Sequence, residues 1–265
     1  MTPPPVLPSF SEWRAPLSWE TIDFISDLHL SEETPLTFEA WAGYMRDTIA
    51  DAVVILGDLF EAWVGDDARH AGFEARCAAV LTSTAATRRV AFMVGNRDFL
   101  VGDAMLTACG VQALADPTVF VVGDDRLLLS HGDALCLSDL EYQQIRSMAR
   151  RPAWQQGFLA LSLEERRSQV RQMRLRSELH NKARAGTDYA DLDLPTAVQW
   201  MQAAATPNFI HGHTHKPATE GLAPGFVRHV LTDWDLDHAG KPRAEVLRWQ
   251  RGALFRMPLA SSLGS

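Results

Sequence analysis

Three short apolar runs, Ile22 to Ile25, Val53 to Leu56 and Val90 to Val94, each end in a polar signature: SDLH, GDLF and GNRD. Runs of this length, apolar on both faces and bounded by turn residues, predict buried strands that end in functional loops. Amphipathic stretches around Phe38 to Ile49 and Phe73 to Ala85 separate them and predict helices, so the first third of the chain alternates strand and helix as an α/β layer does. Thr118 to Val122, the turn Gly123-Asp124-Asp125, and Arg126 to Ser130 then predict a hairpin that opens a second sheet and delivers HGD at its end. A long helical region follows from about Asp139 to Met201, interrupted near Pro152 and between Gly186 and Pro195, before Phe209-Ile210 resume strand character. We read it as a helical cap, residues 139–201, inserted within a main domain of residues 21–260. Phe226 to Leu231, Ala244 to Trp249 and Ala253 to Arg256 are expected to form a meander closing the second sheet. The Pro-rich residues 1–20 are expected to be a mobile leader, and the tail ASSLGS to fray.

Composition adds limits. With 265 residues, 46% hydrophobic and 22% charged, the chain is an ordinary globular one. A net charge of -8 argues against a nucleic-acid binder, which needs a basic surface to neutralise phosphates. The average hides a reversal: residues 146–184 carry ten Lys or Arg against three acids, a local +7 that leaves -15 for the rest. The N-terminus lacks the features of a secretory signal and no stretch reaches the length of a membrane span, so a cytoplasmic location is expected. Cys77, Cys109 and Cys136 form no CxxC pair, which suits a reducing compartment.

The chemistry lies at the strand ends. Asp27 and His29 are two apart, so both side chains can leave one face, yet a lone DxH is common by chance. Asp58 follows the second strand through Gly57, and Asn96 follows the third through Gly95, each glycine permitting a tight turn. His131 ends a fourth strand in HGD, and HGHTH places His213 and His215 with same-face spacing after a fifth. Seven nitrogen and oxygen donors with no cysteine among them suit two divalent ions such as Mn, Fe or Zn. His70, His180, His229 and His238 have no ligand spacing and read as surface or capping residues, while His211 is either support for the ligands or strand packing.

The series DLH, GDLFE, GNRD, HGD and GHTH resembles the calcineurin-like metallophosphoesterase family, and the resemblance spans roughly Ile22 to Phe255. The resemblance implies an α/β fold of two packed mixed β-sheets flanked by helices. It also implies a partition of the ligands, with Asp27, His29 and His215 on one ion, Asn96, His131 and His213 on the other, and Asp58 bridging. Where many relatives continue GN with His, this chain has Arg97, which cannot act as a general acid near neutral pH but suits a phosphoryl group. An alkoxide leaving group, with a parent pKa of about 15.7, needs a proton donor, whereas a phosphate with a pKa of about 6 does not. GNRD therefore favours cleavage of a diphosphate.

FISDLHL, GDLFEAWVGDD, GNRDFL, HGDALCLSDLEYQQIR and HGHTHKPA narrow the resemblance to the UDP-2,3-diacylglucosamine hydrolase family of lipid A biosynthesis. That family implies two Mn2+, a UDP-linked diacylglucosamine substrate, and UMP as a product. It implies substrate contacts at Asn96, Arg97, Asp139, Ser177, Asn181 and His213, with Arg184 standing where the family commonly has Lys. Trp154, Phe158 and Leu161, at helical spacing beside the arginines, read as either a core stripe or an amphipathic face. The second reading would place the basic cap peripherally on the inner face of the inner membrane, with no obligate protein partner. Another di-metal phosphodiesterase or nucleotidase of the superfamily is the alternative function.

Overall fold

The structure, a computed structural model, describes residues 7–183 and 191–259, and of residues 174–183 only the backbone. In chain order its strands and helices are β1 (Ser11–Arg14), β2 (Thr21–Ile25), α1 (Pro35–Asp47), β3 (Ala52–Leu56), α2 (Gly72–Ala85), β4 (Arg89–Met93), α3 (Asp103–Ala108), β5 (Gln112–Leu114), β6 (Thr118–Val122) and β7 (Asp125–Ser130). They continue with α4 (Leu140–Ala149), α5 (Pro152–Leu159), α6 (Leu163–Ala183), α7 (Leu194–Ala203), β8 (Asn208–His211), β9 (Ala218–Ala223), β10 (Phe226–Val230), β11 (Glu245–Gln250) and β12 (Ala253–Pro258).

Two six-stranded mixed sheets form, in the orders β12-β11-β2-β3-β4-β5 and β1-β6-β7-β8-β10-β9. The apolar runs of β2, β3 and β4 bury both faces, and alternation along each strand divides them. Ile22, Phe24, Val54 and Leu56 meet Phe120, Leu127, Leu129 and Ile210 of the second sheet. Ile25, Val53, Ile55 and Phe92 point the other way, onto Trp41, Met45, Phe73 and Cys77 of α1 and α2. On the far face of the second sheet, Leu128 and Phe209 pack on Ala197, Trp200 and Met201 of α7. The layers therefore run helix, sheet, sheet, helix, and the parallel strands β2, β3 and β4 end at one edge.

Two features depart from the sequence reading. Within the stretch taken as a leader, β1 pairs in parallel with β6, and Trp13 lies 4.6 Å from Phe120, so an aromatic residue recruits the segment to a sheet edge. The hairpin of β11 and β12 does not close the second sheet with β10. It returns to the first sheet, where β11 runs antiparallel to β2. The reason is visible at Asp23, a charge inside an apolar strand: Arg248 donates to it from Nε and a terminal nitrogen at 2.7 and 2.8 Å. Tyr44 and Thr48 hydroxyls donate to the same carboxylate.

The helices α4 to α7 run between β7 and β8, and part of the basic balance of that segment is turned inward. Arg146 pairs with Asp133 and Arg166 with Asp67, whereas Arg167 pairs with Glu74 with its side chain still 40% exposed. Trp154 stacks on Phe158 at 5.3 Å and meets Phe99 at 6.0 Å, which settles that stripe as packing. Among the described residues no helix is long and apolar enough to cross a membrane.

Candidate metal centre

Five of the seven donor residues have left-handed backbones: Asp27, His29, Asp58, His213 and His215, with φ of 55, 48, 51, 69 and 52°. Such conformations cost on the order of 1–3 kcal/mol each for residues other than glycine and gather at functional sites. Here the surrounding backbone enforces them. The amides of Leu28 and His29 both donate to the Asp58 carbonyl, at 2.9 and 3.1 Å, and lock the ends of β2 and β3 together. His213 N donates to the Asp27 carboxylate at 2.9 Å, joining the loop after β8 to the loop after β2.

The side chains converge in two groups, Asp27, His29 and His215, and Asp58, His131 and His213. In the first, the Nε2 atoms of His29 and His215 lie 3.2 Å apart, and Asp27 Oδ1 is 3.4 Å from His215 Nε2. In the second, Asn96 Oδ1 lies 2.9 Å from His131 Nε2 and 2.8 Å from His213 Nδ1. Asp58 stands between them, Oδ2 3.9 Å from His29 Nε2 and Oδ1 3.7 Å from His131 Nε2. The donors are all nitrogen and oxygen, a set that fits divalent ions of borderline hardness.

The electrostatics match that set. Burial pushes the His131 imidazolium down, yet Asp58, Asp27 and Asp133 together hold its pKa up at about 9. Burial and then the charge of His131 push His213 down to about 4. Burial raises the Asp27 carboxyl, but its contact with His215 and the fields of the surrounding histidines hold it far below the usual range. The field of Asp27, Asp58 and Asp133 thus stabilises positive charge at His131, while His213 is held neutral.

Supporting residues come from the same motifs and carry no ligand spacing that would have revealed them. Glu61, the last residue of GDLFE, contacts His29 Nδ1 through Oε2 at 2.8 Å and Arg97 through Oε1 at 3.5 Å. Arg97 in turn donates its backbone N–H to Asp58 Oδ1 at 2.8 Å. Asp98 of GNRD accepts from Leu59 N at 2.8 Å and Gly95 N at 2.7 Å, binding the loops after β3 and β4 to each other. Its neighbours explain the carboxyl's elevated pKa of about 7, with burial first and Asp58 second. His211 is engaged elsewhere: Arg228 Nε donates to its Nε2 at 2.8 Å, and its Nδ1 faces the Gly212 carbonyl at 2.7 Å.

Comparison with known proteins decides the family. No family model matches the chain. A UDP-2,3-diacylglucosamine hydrolase of Chromobacterium violaceum is 40% identical over 247 residues, covering 91% of this chain and 99% of that protein. One of Ralstonia nicotianae is 41% identical over 250 residues, covering 90% and 92%. The chain belongs to the UDP-2,3-diacylglucosamine hydrolase family. A Bordetella parapertussis hydrolase of the same name is 38% identical over 236 residues, covering 86% of this chain and 91% of that one. Among solved structures, an archaeal phosphodiesterase superposes with a TM-score of 0.45 at 11% identity, covering 90% of this chain and 99% of that one.

In this member of the UDP-2,3-diacylglucosamine hydrolase family, the residues expected to touch substrate fall in different settings. Asn96 and His213 lie in the donor cluster and Arg97 beside it. Asp139 caps α4, its side chain accepting from Tyr142 N at 3.1 Å. Ser177 and Asn181 lie on α6, where only the backbone is described, and Arg184 lies outside the described residues. Helix α4 and its C-terminal cap are tied to the loops after β7 and β4: the Tyr142 hydroxyl donates to Asp133 at 2.6 Å, and Arg150 donates to the Gly95 carbonyl at 2.9 Å.

Proposed function

We propose that this chain hydrolyses the diphosphate of UDP-2,3-diacylglucosamine by water attack on the α-phosphorus, releasing UMP and 2,3-diacylglucosamine 1-phosphate, a step of lipid A biosynthesis. The convergence of seven strand-end donors, in a chain about 40% identical to hydrolases of that name over nearly its whole length, carries the reading. Two Mn2+ would be held by Asp27, His29 and His215 and by Asn96, His131 and His213, with Asp58 between. Such ions, when bound, acidify a water and offset phosphoryl charge.

The chain's own groups do the rest. Glu61 holds His29 so that Nε2 faces the centre, and it also anchors the Arg97 guanidinium. Arg97 binds the phosphoryl oxygens and stabilises the charge that develops on them. The departing group is a phosphate, so the absence of a protonating histidine after Asn96 costs little. Asp139, Ser177, Asn181 and Arg184 are the remaining substrate contacts. Leu140, Ile145 and Met148, exposed on α4, supply apolar surface for the acyl chains and for docking at the inner face of the cytoplasmic membrane.

The test is to incubate the protein with UDP-diacylglucosamine in 18O-water, with Mn2+ or with EDTA. UMP carrying the label and formed only with metal is expected; UDP as product, or label in the lipid phosphate, would overturn the assignment.

A further inference from the structure

A cavity of about 270 Å3 opens beside the first donor group, with His29 and His215 in one wall and Thr34, Asp235, His238 and Arg243 in the others. It differs from the surroundings of the second group. There His213 lies under the Tyr142 ring of α4 at 5.8 Å, and Arg150 of the same helix reaches the Asn96 loop. The groove of about 440 Å3 on α4, lined by Leu140, Gln143, Gln144, Ser147 and Arg151, includes no donor residue. The centre therefore has one flank of amphipathic helix and another of compact cavity, polar but for Leu28 and Trp234.

A diphosphate joining a diacyl sugar to a nucleoside has two arms of unlike chemistry. The acyl arm suits the helical flank, where exposed leucine, isoleucine and methionine lie. The other arm is planar, polar and small. A cavity near the lower end of the range for small-molecule sites, roughly 300 Å3, is of a size for one nucleoside, and its mostly polar lining does not suit an acyl chain.

The walls are already ordered for such a ligand. Arg243 donates to Asp233 at 3.2 and 2.7 Å and lies 3.5 Å from Asp235, which fixes the guanidinium while leaving its side chain 41% exposed. Asp235 also fixes His238 through its ring Nδ1 and its backbone N, both at 3.0 Å. The imidazole is thus an exposed flat ring held in place at the rim, which lowers the ordering cost of stacking a base on it. Arg243 offers a donor to ring carbonyls, and Asp235 offers an acceptor.

We propose that this cavity is the nucleotide subsite, taking the pyrimidine nucleoside of the substrate with His238 stacked on the base and Arg243 donating to its carbonyls. The proposal rests on the hydrolase reading above. It assigns a role to His238 and Arg243 that their sequence spacing does not suggest.

The test uses full-length protein loaded with Mn2+ and titrated by calorimetry with UMP and, separately, with inorganic phosphate, which shares the metal contacts but lacks the nucleoside. His238→Ala is expected to weaken UMP by about tenfold, the scale of one stacked base, with phosphate affinity unchanged. His238→Trp is expected to restore UMP binding. UMP affinity within twofold of wild type in His238→Ala, or a loss that His238→Trp fails to restore, overturns the subsite. UMP release by the wild-type protein is measured in parallel: its absence sinks the hydrolase reading, whereas normal release with unaltered UMP binding in the variants sinks the subsite alone.

Discussion

Replacing Gly95 by alanine tests whether the position of Asp58 governs the centre. An alanine Cβ would lie 2.1 Å from Asp58 Oδ1, 2.9 Å from its Cγ and 2.5 Å from its backbone N. Cβ contacts below 3.0 Å are essentially never seen, so the carboxylate oxygen must retreat by about 0.9 Å at least. It cannot swing freely, because Oδ1 accepts from Arg97 N at 2.8 Å and the Asp58 backbone carries the bonds that lock β2 to β3. A displacement near 1 Å in a catalytic group costs about 100-fold. Overpacking adds about 1–3 kcal/mol of strain, or a fall in Tm of roughly 2–12 °C for a chain of this size. The assay is kcat/KM for UMP release together with calorimetric Mn2+ affinity of the apo-protein, with circular dichroism to establish that the variant is folded. Gly157→Ala on α5, where nothing lies within 4 Å of the added Cβ, is the control and should match wild type. A folded Gly95→Ala protein with both quantities within threefold of wild type would refute the reasoning.

Other perturbations probe separate links. Glu61→Ala should lower Mn2+ affinity by about 10–100-fold, as loss of a partner to a ligating histidine does, and calorimetry that finds no change removes Glu61 from the centre. Arg97→Ala should lower kcat for diphosphate cleavage by about 100-fold, with Arg97→Lys only partly restoring it; equal activity of the lysine and arginine forms would show that two-pronged contact is unimportant. Arg248→Met strands the Asp23 carboxylate in the core and should cost about 3–5 kcal/mol in urea unfolding, whereas the double change Asp23→Leu with Arg248→Met should recover most of it. His229, buried and near Arg256, is held at about 4, below its ordinary 6.5. The unfolded chain therefore takes up the proton first, and stability falls as pH drops from about 6.5 towards 4. His229→Gln should flatten that fall between pH 7 and 4.5, and an unchanged slope would contradict the assignment.

Much of the metal centre was legible because its information is local. Each donor sits at the end of an apolar run, next to a glycine or at two-residue spacing, and such features survive in one dimension. The resemblance supplied the partition between the two ions, and the structure brings the same seven residues together, with Asp58 between the groups. Legibility ended where the partner lies far along the chain. Glu61 and Asp98 stand inside the quoted motifs, but what they touch, His29 in one case and the loop after β3 in the other, is fixed only when strands pair.

The sequence by itself determined the apolar strands, the alternation of strand and helix, the candidate donors and the family. Tertiary structure decided which sheet receives β11, because Arg248 and Asp23 are separated by 225 residues and neither announces the other. It decided that Arg146 and Arg166 are drawn into the fold by Asp133 and Asp67, so that a +7 count overstates the basic surface. It assigned His211 to Arg228 rather than to the donor cluster, although HGHTH spaces all three histidines alike. Local periodicity sets which face a residue shares, but burial and pairing of charge depend on neighbours that only the folded chain brings near.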